Sequence, residues 1–345
     1  MIHDFYRGRR VMVTGGLGFI GSNLAARLVD LGAEVLLVDS LIPESGGNFF
    51  NIEPIKDRLR VNVADIRQPS TMNYLVRGQE VIFNLAGQVS HIDSMRDPHT
   101  DLEVNCRAQL TLLEACRHHN PGTKVVFAGT RQVYGRPDAL PVTEQHLVRP
   151  TDVNGINKVA GEYYHLVYNN VFGVRACSLR LTNVYGPRQL IRHNRQGFIG
   201  WFIRLALDGG EIQVFGDGSQ IRDFVYVDDV ADAFLRAGAT DAVNGEAFNV
   251  GGNEHWTHAD LVALLVSLSD GASYRFVEWP PEKKLIDIGS FYADSSKFHA
   301  VTGWTPAVRL GEGLERTLAF YRAHYDEYVT VEGRRFDRRR HEATS

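Results

Sequence analysis

The feature that most constrains this chain is the run Thr14-Gly15-Gly16-Leu17-Gly18-Phe19-Ile20-Gly21. It follows an apolar stretch at 11–14 that reads as a buried strand, and it opens a helical pattern over 19–31. A glycine-rich turn between a strand and a helix is the setting in which a dinucleotide pyrophosphate is held. Gly15 permits the tight turn, Gly18 lets the backbone approach a pyrophosphate, and Gly21 lets the helix pack close to the sheet. The amide donors around Phe19 and Ile20, at the positive end of the helix dipole, then face the phosphates. Asp39 ends the next strand, within about 20 residues of the glycines. A carboxylate there accepts bonds from ribose hydroxyls and repels a 2′-phosphate, which favours NAD over NADP.

The first half of the chain repeats this rhythm. Apolar runs at 34–38, 81–86, 124–128 and 174–181 read as further strands, with helices such as 100–117 and 153–168 between them. Continuous Val/Leu/Ile runs interleaved with helices mean a parallel sheet covered on both faces. The expected fold class is α/β, a doubly wound parallel Rossmann sheet with right-handed crossovers. With 345 residues the chain is longer than one core usually grows, so two lobes are expected. After Tyr185 glycine, proline and aromatic residues become denser, which reads as a smaller C-terminal substrate-binding lobe. Segments 224–237 and 247–250 are expected to return to the main sheet. The division expected is 1–182 and about 224–252 for the NAD-binding domain, about 183–223 and 253–330 for the substrate lobe, and a basic tail at 331–345.

Composition excludes several classes. The net charge of −4 gives no basic field for nucleic acid. The one strong cationic run, Arg334 to Arg340, reads as a solvated tail. The three cysteines, Cys106, Cys116 and Cys177, are far apart, so neither a disulfide framework nor a metal site is expected. A reducing cytoplasm fits them. The N-terminus has no signal-peptide core, and no apolar stretch reaches the roughly 18 residues a membrane span needs.

Other motifs follow in order. They are Asp65-Ile66, Asn84-Leu85-Ala86-Gly87, and Thr130 with Val133-Tyr134-Gly135. Then come Asn183-Val184-Tyr185-Gly186-Pro187-Arg188, Arg222-Asp223-Phe224, Asp228-Asp229-Val230 and Gly303-Trp304-Thr305-Pro306. This ordered set, with the Gly-x-x-Gly-x-x-Gly spacing, resembles the extended short-chain dehydrogenase/reductase family from about residue 10 to 322. The branch is that of nucleotide-sugar epimerases, dehydratases and decarboxylases. The resemblance implies that Asp65 and Ile66 lie beside the adenine and that Leu85, Ala86 and Gly87 line the cofactor. It implies that Asn183 and Arg222 bind the substrate's diphosphate. Lys284 falls where many members have another phosphate-binding Arg; it keeps the charge but loses the bidentate fork. Segments around Gly87-Gln88-Val89, 185–189 and 196–202 resemble those of CDP-tyvelose 2-epimerases, which invert C2 rather than C4.

The family's catalytic pair is Tyr-x-x-x-Lys, placed on one helix face by its i, i+4 spacing. Here Lys158 matches the Lys, and Asn154 stands at the Tyr position. A carboxamide has no useful acid or base pKa, so Asn154 can bond a sugar hydroxyl but cannot act as general base. Three readings stand: another residue supplies the base, the reaction needs none there, or catalysis has been lost, naturally or by an engineered substitution. His91 is the best substitute, because an imidazole titrates near neutrality. Thr130 is expected at the reacting hydroxyl. The 4,6-dehydratases carry Asp-Glu after this Thr; Arg131-Gln132 argues against that reaction, and Arg131 could bind an anionic or keto group. Gln88 is expected near the substrate as well.

The resemblance thus implies an NAD-dependent nucleotide-sugar epimerase acting through transient oxidation of a C4 or C2 hydroxyl. A decarboxylase, a dehydratase acting elsewhere or a dehydrogenase would share the motifs. So would a catalytically impaired protein that still binds NAD and a nucleotide sugar. Relatives in this branch suggest a homodimer through 100–117 and 153–168.

Overall fold

The computed structural model describes residues 2–43 and 45–329. The basic tail expected from 331 lies outside them. Seven strands form the central sheet: β1 (Arg10–Thr14), β2 (Glu34–Asp39), β3 (Arg60–Val63), β4 (Val81–Asn84), β5 (Lys124–Thr130), β6 (Arg175–Leu181) and β10 (Ala247–Val250). Their order is β10-β6-β5-β4-β1-β2-β3, and every pairing is parallel. β5 is buried along nearly its whole length, as a strand covered on both faces must be. The chain order reverses between β1 and β4, which opens a crevice at the strands' C-terminal ends.

Three shorter pairings build the rest. β9 (Ile221–Tyr226) lies between β7 (Asn183–Tyr185) and β11 (His255–Thr257), while β8 (Glu211–Phe215) pairs with β12 (Ser273–Val277). A second apolar cluster, including Tyr185, Phe202, Leu261, Leu314 and Tyr321, packs around them. The expectation that 224–237 rejoins the main sheet needs correction. The strand portion pairs with β7 and β11, and only the helix that follows it packs back on the main sheet.

Six helices position the site: α1 (Phe19–Asp30), α2 (His91–Arg96), α3 (Pro98–Leu102), α4 (Ala108–His119), α5 (Val153–Phe172) and α6 (Val227–Ala239). The single helix expected over 100–117 is divided into α3, a π-helical turn at Glu103–Arg107, and α4. α5 begins at Asp152, whose carboxylate accepts the Gly155 N–H at 2.7 Å, and stops at Gly173, in left-handed geometry at φ 72°. Its inward face carries Asn154, Lys158, Gly161, Glu162 and His165, spaced at one helical stripe. Among the described residues, no helix is long and apolar enough to cross a membrane.

Candidate active site

The glycine turn sits at the end of β1. Gly15 has φ +67°, a conformation that L side chains rarely adopt. A Cβ on Gly21 would lie 2.2 Å from the Gly15 carbonyl oxygen, so only glycine lets α1 start this close to the turn. Gly18 is the N-cap of α1 and supplies no side-chain cap, which leaves the first-turn amides of Phe19 and Ile20 for an anion. Asp39 ends β2 with its carboxylate oxygens on the Leu17 and Leu41 amides, at 3.1 and 2.9 Å. Burial raises its pKa, and these two amide bonds oppose the rise. Asp65 follows β3; bonding to Arg67, stronger than burial here, holds its carboxyl below the usual value. Ile66 beside it is buried. Leu85 and Ala86 are fixed by the Thr14 hydroxyl, which accepts both amides at 3.1 Å.

Beyond the end of β4 stands Lys158. A Cβ on Gly87 would come within 2.9 Å of its Nζ, so the missing side chain makes the room for the ammonium. Nζ donates to the Ala128 carbonyl at 3.3 Å. Burial pushes the Lys158 pKa down to about 8, with the Asp101 charge opposing.

Asn154 is 2% exposed, and both its amide hydrogens are committed within the protein. Nδ2 donates to the Gln88 carbonyl at 2.8 Å and to Asp101 Oδ2 at 2.9 Å. The fully buried Asp101 also accepts Asn105 Nδ2 at 3.0 Å and Asn157 Nδ2 at 2.8 Å. Asn105 in turn grips the Gln88 backbone, donating to its carbonyl and accepting its N–H. A donor role for Asn154 toward a sugar therefore meets competition from the fold, and Oδ1 is the atom left for a ligand. Gln88 is likewise held by its backbone.

His91 opens α2. Its Nδ1 lies 2.9 Å from Asp152 Oδ2, at bonding distance but off the N–H axis, so a close polar contact rather than an aligned hydrogen bond. The same oxygen accepts Gln132 Nε2 at 2.9 Å. Gln132 also donates its backbone N–H to Thr130 Oγ1 at 3.2 Å. Burial opposes ionisation of Asp152, but His91, the Gly155 amide and Gln132 outweigh it and hold the carboxyl below its ordinary value.

On the far side of Thr130, Arg131 donates Nη2 to Asn183 Oδ1 at 3.1 Å. Its Nη1 is buried without a partner, as is Nε of Arg222. Burial, and then the neighbouring Arg131, push Arg222 down to about 9. Asp287 Oδ1 approaches Arg222 Nη2 at 3.5 Å. Burial lifts Asp223 to about 6, and burial with the two guanidiniums presses His258 down to about 3. Two interior cations with open N–H groups form an anion-binding arrangement. Lys284 is not part of it: it is exposed, its carbonyl accepts Arg136 and its N–H donates to the Pro280 carbonyl.

A model of the NAD dependent epimerase/dehydratase family matches residues 11–251. The chain belongs to this family. A UDP-glucose 4-epimerase of Mycolicibacterium smegmatis is 36% identical over 91% of this chain and 98% of its own. A CDP-paratose 2-epimerase of Salmonella typhi is 28% identical over 89% and 97%. The crystal structure of a UDP-glucose 4-epimerase from Thermotoga maritima with UDP-glucose superposes with TM-score 0.82 at 31% identity, covering 92% of this chain and 99% of that one.

NAD, the epimerase/dehydratase family's cofactor, fits the residues present. The open α1 amides and the Gly15–Gly21 approach suit its pyrophosphate, the Asp39 carboxylate its adenosine ribose, and the Lys158 ammonium its other ribose. Sequence reasoning missed Asp101, Asn105, Asn157, Asp152 and His258. Asp152 had one local signal, its place just before a helix. Apart from the i, i+4 bond from Asn105 to Asp101, the others act across 17 residues or more, where no short motif marks them.

Proposed function

We propose that this chain epimerises the sugar of a nucleotide-diphosphate sugar at C4 or C2. The observation that carries the reading is the placing of the glycine turn, Gly87 beside the Lys158 ammonium, Thr130 and Arg131 at the C-terminal edge of the central sheet, with Arg222 of the neighbouring sheet close enough to Arg131 for their charges to interact. Bound NAD supplies a reversible acceptor for the hydrogen and electron pair on the sugar carbon. Arg222 and Arg131, with Asn183, hold the anionic part of the substrate. Lys158 orients the cofactor through its ribose, and Thr130 bonds the reacting hydroxyl. Asn154 takes the place at which the family keeps a tyrosine, so the hydroxyl proton goes to His91. The epimerase names of similar proteins support inversion, and Arg131-Gln132 in place of Asp-Glu speaks against 4,6-dehydration.

The test is incubation with UDP-, CDP- and dTDP-sugars, followed by mass spectrometry and proton NMR. Inversion without mass change is expected, and Lys158→Met should abolish turnover. Loss of carbon dioxide, water or hydrogen would assign a sister reaction. Asn154 favours a second reading, a protein that binds NAD and nucleotide sugar without turnover. New activity in Asn154→Tyr, absent from the parent, would support it.

An exposed apolar stripe on α5, formed by Ile156, Tyr163, Val167 and Val171, supports a homodimer through this helix. Light scattering at micromolar concentration tests that. The cysteines are free and two are buried, which supports a cytoplasmic setting.

A further inference from the structure

The assignment of His91 as proton acceptor leaves open what makes an imidazole on a loop-borne helix competent for that task. We propose that Asp152 is its positioning residue, so that a carboxylate–imidazole pair does the work a tyrosine does elsewhere in the family. This inference rests on the epimerase reading and deepens it.

The geometry has three parts. First, the Asp152 carboxylate is itself held rigidly. Oδ1 accepts the Gly155 N–H at 2.7 Å, and Oδ2 accepts Gln132 Nε2 at 2.9 Å. Its side chain is fully buried at the positive end of α5, which favours the ionised form. Second, His91 meets this carboxylate through one edge only. Nδ1 is buried at 2.9 Å from Oδ2, while the side chain as a whole is 37% exposed, so the accessible edge is the opposite one, with Nε2. A carboxylate at Nδ1 fixes the tautomer with the proton on Nδ1 and leaves Nε2 bare. Third, the pair is tied to Thr130, the residue proposed to bond the reacting hydroxyl. Gln132 bridges Asp152 to Thr130, donating its side chain to one and its backbone N–H to the other.

The proton step balances simply. The O–H bond of the sugar hydroxyl breaks, an N–H bond forms at His91 Nε2, and the imidazolium is stabilised by the Asp152 charge. When the carbinol is restored, the same proton returns to oxygen, so nothing is consumed. Small rotation of the ring brings Nδ1–H onto the axis to Oδ2, an alignment that catalytic hydrogen bonds often reach only with substrate bound. The committed N–H groups of Asn154 agree with this division of labour: that side chain secures the fold around Asp101 and leaves proton transfer to the pair.

Asp152→Asn separates the two roles of Asp152. An asparagine still caps the helix and still accepts the Gly155 N–H. Its amide N–H, however, would donate to His91 Nδ1 and drive the proton to Nε2, the wrong nitrogen for a base. We expect unchanged NAD retention and KM, and a kcat lower by about 10²-fold or more. In protein labelled with 15N at histidine, with the His91 signal assigned by its loss in His91→Gln, the tautomer should switch from Nδ1–H to Nε2–H. Wild-type kcat in Asp152→Asn, or an unchanged tautomer, overturns the proposal; so does full activity in His91→Gln. Should the wild type turn over no nucleotide sugar, the epimerase reading fails, while the nitrogen spectrum still decides whether Asp152 sets the tautomer. Asp152→Ser, which also caps a helix, gives a second removal of the carboxylate and should lower kcat likewise.

Discussion

Replacing Asp101 by Asn exchanges one carboxylate oxygen for an NH2 group and tests the polar network behind the cofactor lysine. In the native protein Oδ2 accepts from Asn105 and Asn154, and Oδ1 from Asn157. An amide offers one oxygen. If that oxygen keeps Asn105 and Asn154, its NH2 faces the Asn157 donor; in the reverse orientation it faces the other two, both of which retain the Gln88 carbonyl. The better orientation thus loses one charge-assisted bond, weakens two, and leaves Asn157 opposed by a donor. Leaving a buried donor unsatisfied costs about 1–3 kcal/mol, and bonds to a charged acceptor are worth about 1.5–3 kcal/mol each. We expect Asp101→Asn to lower unfolding free energy by about 2–5 kcal/mol in urea, with an unchanged m-value. A second effect follows from charge. Burial already holds Lys158 near 8, and Asp101 is what opposes that depression. Without it the ammonium loses its proton at lower pH, so the alkaline limit of NAD binding should move toward neutrality. A variant within 0.5 kcal/mol of wild type (about the error of such comparisons) and with the same alkaline limit would refute the network as described.

Three further outcomes are expected. Glu162→Gln strips the buried Arg180 guanidinium of its bidentate partner on α5, also the acceptor of Ser178, and should cost about 3–5 kcal/mol in thermal or urea unfolding. Gly87→Ala places a methyl within 2.9 Å of Lys158 Nζ and Asn105 Oδ1; the flexible lysine end gives way, and NAD affinity by calorimetry should fall about 10- to 100-fold. His165 is buried between the Gly161 carbonyl and Asn84, and burial presses it to about 4. The unfolded chain takes up that proton near pH 6.5, so stability falls as pH drops from 6.5 toward 4, by about 3 kcal/mol in all. Asp223, lifted to about 6, works in the opposite direction over the same range, so the readout is the difference in slope between wild type and His165→Gln.

What could be read from the chain divides by distance along it. The glycine turn, Asp39 and the strand–helix alternation are local patterns, and each occupies its expected place at the sheet edge. β3 was not anticipated because Arg60–Val63 is a partly exposed edge strand without a continuous apolar run. β9 lies outside the sheet that its sequence suggests, for a related reason. Ile221–Tyr226 runs straight into α6, as strands of the main sheet run into their helices, yet its partners are β7 and β11, about 40 residues before it and 30 after. Register with distant strands is not written in a six-residue pattern.

The site shows the same limit in a sharper form. A single substitution in a motif, asparagine at 154, reads as the loss of a base. In the folded protein it is one corner of a set: Asn154 shares Asp101 with Asn105 and Asn157, and Asn105 and Asn154 share the Gln88 carbonyl. An aromatic ring at 154 would remove two donors from this set and leave a buried carboxylate underbonded, so the residue cannot be exchanged alone without destabilising its neighbours. Around the same helix, Lys158 Nζ reaches the Ala128 carbonyl, and Thr130 and Arg131 follow at the end of that strand. Among the described residues His91 is the imidazole at this helix's cap, 2.9 Å from Asp152, so the proposed enzyme reading is decided by the test of that contact.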